Sequence, residues 1–163
     1  MRTLLLLALL LASLSTAGAE EFLIEVPTTA VTAIAYHGGT AHRFQVSLPE
    51  GLTESTLLKA TLHVVAGPAA GSQDDFVEVQ VAEWRDGAPV VPAQKVRPIT
   101  LGFETNRPVE IHLDLRPILA DWTGGASLDL AVGKLTGDCW GDPQVAPLEP
   151  GQQGFCKLHL VTE

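Results

Sequence analysis

The chain has 163 residues, with 10 Lys+Arg against 19 Asp+Glu and a formal charge of −9. That length suits one ordinary domain, and the acidic balance argues against nucleic acid, whose binders present a basic patch. Charged residues at 18% beside 46% hydrophobic ones exclude a disordered acidic tail, and two cysteines are too few for a disulfide-built miniprotein or a four-cysteine zinc site.

The N-terminus reads as a secretory leader. Arg2 is followed by an apolar run from Leu4 to Leu14, by the small residues Ala17, Gly18 and Ala19, and by the polar pair Glu20 and Glu21. Cleavage is expected after Ala19, so residues 1–19 are assigned to the leader and residues 20–163 to a single mature domain. The run is short of the roughly 20 residues of a membrane-spanning helix, and no later stretch is longer. Removing nineteen residues that include Arg2 leaves 144 residues and a charge of −10. The mature protein is expected to be secreted, periplasmic or at the cell surface, with no membrane span.

Period-two alternation then recurs along the mature chain, the signature of half-buried strands. Strands are predicted over Glu21 to Val26 and Ala30 to Tyr36. They follow at Arg43 to Leu48, with Phe44, Val46 and Leu48 on one face, and at Ala60 to Val65, with Ala60, Leu62 and Val64 inward. Phe76 to Ala82 aligns Val77, Val79 and Val81 and stops at Asp86 and Gly87. Val109 to Leu115 sets four aliphatics against Glu110, His112 and Asp114. One helical turn is predicted from Pro117 to Trp122, since proline suits a first helical position and Gly124 and Gly125 end it. Ser127 to Val132 and Lys157 to Val161 complete the set. Short strands separated by turn signals predict an all-β, antiparallel β-sandwich with one short helical turn.

In an oxidising compartment Cys139 and Cys156 are expected to form a disulfide. It would close a loop of about 18 residues, worth roughly 3 kcal/mol in the chain-entropy model. Gly141 to Gly151 within it holds three prolines and two glycines, and reads as a long surface loop.

Several of these segments resemble DNRLRE-type domains. Phe44 with the exit Ser47, Leu48, Pro49 is similar to that family's "LRFDLS-LP" strand, and Ala60 to Val64 to its "A-T-L-x-L" strand. Asp114, Trp122, Gly124 and Leu128 fall in matching places of a longer motif across Val109 to Leu130. Cys156 to Val161 resembles the closing strand, with Cys156 where the family has proline. The family's aromatic "W-x-E-x-x-T-W" segment is reduced to Glu83, Trp84, Arg85 and Asp86. The resemblance implies a jelly-roll-like sandwich of the kind used as carbohydrate-binding modules and in secreted surface proteins, and it carries over no catalytic residue.

Sugar recognition needs aromatic faces with planar polar groups beside them. Trp84 among Arg85 and Asp86, with Tyr36 and Trp140, is the candidate ligand-binding set. Each aromatic also has a packing role open to it, Trp140 against the expected disulfide and Trp84 over a strand end. His63, His112 and His159 each take the outward phase of a strand. If their strands were neighbours the imidazoles would converge on a zinc site with an open position. The reading adopted is three separate solvent-facing histidines, with no metal and no cofactor expected. No Gly-x-Ser-x-Gly, phosphate loop or zinc-protease helix occurs, so no catalytic residue is assigned and the protein is not expected to be an enzyme.

The function expected is therefore an exported, non-catalytic β-sandwich module binding polysaccharide or another extracellular surface. The alternative is a structural or assembly subunit of a cell-surface complex or filament, its Glu21 to Val26 strand adding to a partner's sheet. An enzyme comes third.

Overall fold

The computed structural model describes residues 18–53, 56–68, 76–90, 99–102, 108–120, 122, 125–138, 141–148 and 154–163. Residues 1–17, where a leader is expected, and Cys139 and Trp140 lie outside the described residues. Among the described residues no helix is long and apolar enough to cross a membrane.

The elements follow the alternation. β1 (Glu20–Pro27) leads through a 3-10 turn (Thr28–Ala30) into β2 (Thr32–Tyr36) and β3 (Gly39–Ser47). β4 (Leu57–Pro68), β5 (Phe76–Arg85), β6 (Ala88–Val90), β7 (Ile99–Gly102) and β8 (Val109–Asp114) come next. The helical turn α1 (Arg116–Leu119) precedes β9 (Ser127–Gly133), β10 (Pro143–Ala146) and β11 (Gly154–Thr162). Two hairpins close on turns with positive φ at both central residues, His37 (47°) with Gly38 (73°) and Asp86 (52°) with Gly87 (82°). This backbone matches the right-handed twist of the strands it joins, and Asp-Gly adopts it readily.

Two antiparallel sheets result. Sheet A runs β1, β11, β4, with β8 and β10 also on β4. Val64 is bracketed by Ile111 and Cys156, and Val65 by Glu110 and Ala146. β10 and β11 therefore lie end to end along one edge of β4, and β8 takes the other. Sheet B runs β2, β3, β9, β5, β6, with β7 on β5. The inward residues of both sheets form one core, including Leu62, Val64, Leu113, Leu158 and Leu160 from sheet A and Phe44, Val79, Leu128 and Leu130 from sheet B. Each fully buried Leu or Val stabilises the fold by roughly 1.5–3 kcal/mol relative to exposure. The antiparallel all-β sandwich expected from the alternation is what forms.

The structure corrects two expectations on the C-terminal side. Pro143–Ala146 is a strand rather than part of a continuous loop. Pro143 is its first residue and Val145 is buried against β4. Proline is tolerated at a strand's first position, since the missing N–H costs no ladder bond there. The second correction is Cys156, which is a free buried thiol rather than half of a disulfide with Cys139. The β1–β11 register slips between Val26 and Pro27. Both Phe155 and Cys156 consequently face the core, and the cysteine is 0% exposed. Burial pushes its thiol pKa up to about 12, so it behaves as a small apolar side chain.

Candidate functional site

The outward face of sheet A is a polar surface built by strand phase. On β4, Leu62 and Val64 point inward, so Thr61, His63 and Val65 point outward. On β8 the same parity turns Glu110, His112 and Asp114 outward, and on β11 it turns out Lys157 and His159. His63 and His112 are direct register partners across β4 and β8, with ring centroids 4.0 Å apart. Glu110 lies two residues before His112 on the same face. Its Oε1 sits 3.1 Å from Nδ1 of His63 and 3.3 Å from Nε2 of His112. The hydrogen bond to His63, then that to His112, holds the Glu110 carboxyl below its ordinary pKa.

The three histidine strands are thus neighbours, and the side chains do gather. His159 stands apart in one respect. Its ring centroid is 6.0 Å from that of His63, and its Nδ1 is engaged elsewhere. Nδ1 faces Nζ of Lys59 at 3.2 Å, and Nε2 faces Oε1 of Glu21 at 2.7 Å. Since an ammonium can only donate, Nδ1 accepts from Lys59, while Nε2 is buried and makes no hydrogen bond despite its closeness to Glu21. The compact cluster is therefore His63, Glu110 and His112, whose donor atoms lie within 4.8 Å of one another.

The outward face of sheet B is closed by its own side chains. Ala41, Ala82 and Ala131 form a floor of small residues, and Trp84, Leu135, Ile34 and Tyr36 pack over it. Trp84 is only 9% exposed. The Tyr36 ring meets it edge-on at 5.6 Å, and Cζ of Arg43 stands 5.9 Å from its ring centroid. Arg43 is fixed in turn by Asp129, with Nε 3.0 Å from Oδ1. Of the residues singled out for sugar binding, Tyr36 and Trp84 meet here as packing partners. Arg85 pairs with Glu83 at 2.7 Å, and Asp86 is exposed in the β5–β6 turn.

One end of the sandwich holds two shallow hollows that share the segment Pro49 to Leu52. One, of about 270 Å³, is bordered by Leu48, Glu50, Trp122 and Ala126. The other, of about 170 Å³, is bordered by Glu20, Phe22, Thr56 and Thr162. Trp122 packs part of its ring on the core and leaves part at the hollow, because α1 ends at Leu119 and the chain turns back there.

Comparison with known protein families and with curated proteins finds no match. Function must then be argued from these three places. Sequence reasoning selected the histidines but passed over Glu110, although the spacing Glu110-x-His112 in an alternating strand already sets both on one face. Trp122 entered only as the end of the helical turn and a motif position. Nothing local marks its second role, which exists because the 49–52 segment lies beside it.

Proposed function

We propose that the protein is an exported, non-catalytic β-sandwich module that binds polysaccharide, using the end of the sandwich at Trp122. The observation that carries this reading is the hollow of about 270 Å³ bordered by Trp122 and Glu50. An aromatic face beside a carboxylate is the pairing that sugar rings and their hydroxyls require. The volume lies just under the range of ligand sites, which begins at roughly 300 Å³. The leader-like N-terminus and the likeness of several strands to DNRLRE-type domains support export and a binding role. The closed packing around Trp84 moves the proposed platform away from that residue.

Affinity electrophoresis through gels containing a neutral glucan or a uronic-acid polysaccharide tests this. Retardation of the wild type is expected in at least one gel. It should weaken in Glu50→Gln and in a Trp122→Ala variant that keeps its far-ultraviolet circular dichroism. Wild-type migration unchanged in both gels overturns the reading, and so does retardation unaffected by both substitutions.

A second reading, assembly at the cell surface, is favoured by the edge of sheet A. β1 is the last strand of its path, and Leu23 on it is 65% exposed. β1 already pairs along its length with β11. A partner strand would therefore add to β1 rather than receive it. Glu20, Glu21 and Glu25 on this strand disfavour a second copy of the chain and favour a basic partner strand. A stable dimer by light scattering at millimolar concentration would contradict that charge argument.

A further inference from the structure

We infer that His63, Glu110 and His112 form a binding site for a divalent transition-metal ion, Zn²⁺ by choice of ligands, on the outward face of sheet A. The inference is independent of the polysaccharide reading, since the hollow at Trp122 draws on none of these residues.

Two imidazoles and one carboxylate are a donor set that zinc accepts, with bond lengths near 2.0–2.2 Å and a fourth position left open. Tetrahedral geometry at those bond lengths sets ligand atoms roughly 3.3 Å apart. Glu110 Oε1 already stands 3.1 Å from one imidazole nitrogen and 3.3 Å from the other. All three donors fall within 4.8 Å. The remaining adjustment is a rotation of exposed side chains, because the backbone positions are fixed by β4–β8 pairing through six register pairs. The two histidines come from different strands of one rigid sheet, so little ordering cost falls on binding.

The surroundings bear on the ion in both directions. Lys157 is in register with His63 on the side away from His112, and Glu25 is in register with Lys157 beyond it. The Glu25 carboxylate lies beside Gly154, and the chain as a whole carries a charge of −9. His63 is the least exposed of the three, at 20%, and its Nε2 is buried with no hydrogen-bond partner. His112 and Glu110 are 57% and 55% exposed and leave the ion open to solvent on one side. That side offers the open position to water or to an anionic group of a bound partner. His159 stands outside this group of donor atoms, and its Nδ1 faces Lys59. The site differs in this from a three-histidine arrangement.

Isothermal titration of ZnCl₂ into chelator-treated, tag-free mature protein tests the assignment. One saturable site per chain is expected in the wild type. His112→Ala and Glu110→Gln should each weaken it by at least about tenfold, the scale on which even outer-shell changes act. His159→Ala should leave affinity within about twofold, which separates this donor set from one using all three histidines. Each variant changes an exposed face, and circular dichroism confirms that it is folded. Intense visible absorption from Co²⁺ added in place of zinc would support a four-coordinate site. The inference is overturned by no saturable heat in the wild type. It is equally overturned by undiminished binding in His112→Ala, or by loss confined to His159→Ala.

Discussion

The two outward faces of this sandwich obey the same alternation and end in opposite states. Sheet A turns out imidazoles, carboxylates and a lysine that pair with one another at the surface. Sheet B turns out alanines with Trp84 and Tyr36 folded over them, and so builds a second, smaller apolar cluster outside the main core. The difference lies in side-chain size. Alanine in the middle strands leaves room that Trp84, near the end of β5, can fill, and burying that ring gains more than leaving it in water. Strands bearing His63, His112 and His159 offer no such floor, and no aromatic folds over them; His112 stays 57% exposed while His63 and His159 are partly buried among their polar neighbours. An aromatic residue on an outward phase therefore does not by itself mark a binding surface.

Three measurements would break or sharpen this contrast. The largest effect is expected at Trp84. Trp84→Ala should cost about 3 kcal/mol in urea unfolding, in line with buried aromatic truncations, whereas His112→Ala in metal-free buffer should stay within about 0.5 kcal/mol. Equal effects at the two positions would show that the faces are not different in kind.

A moderate effect is expected on acidification, and it comes from sheet B's inner side. His42 packs beside Phe155 with centroids 5.3 Å apart, and its Nδ1 is buried without a partner. Burial lowers its pKa below the ordinary 6.5, opposed in part by the Asp142 carboxylate. The neutral ring is therefore favoured by folding. As pH falls through about 6.5 the unfolded chain takes up a proton that the folded chain resists, so this contribution to stability is present above that pH and lost below it. The thermal midpoint should fall between pH 7.5 and 5.5, and His42→Gln should make the fall shallower. A parallel fall in the variant would remove His42 as the cause.

The smallest effect is expected at Cys156. Iodoacetamide at pH 8 should leave it unmodified in the native protein, because its thiol is buried and held in the protonated form. Unfolding in guanidinium without reductant should expose it to full labelling, read by peptide mass. Recovery of that peptide only as a cross-link to the Cys139 peptide would contradict the free thiol.

Much of the architecture was legible in the alternation. Phe44 to Leu48, Ala60 to Val64 and Val109 to Leu115 each declare a buried and an exposed side, because successive strand residues must point to opposite faces. The same rule correctly turned His63, His112 and His159 outward. Short strands were harder. Ala88–Val90 and Ile99–Gly102 are too brief to show a period, and Pro143–Ala146 was masked by its proline-rich surroundings.

The sequence by itself determined the strand phases, the turn at Asp86-Gly87 and the identity of the inward residues, since these depend on near neighbours in the chain. Only the tertiary structure decided that β4, β8 and β11 lie side by side. That adjacency joins residues as far apart as His63 and His159, and it is set by how two sheets share one core. It is also what brought Glu110 between two imidazoles, just as the pairing of β3, β9 and β5 closed Trp84 over alanines. Such cross-strand meetings depend on pairing order and register, which no local pattern encodes.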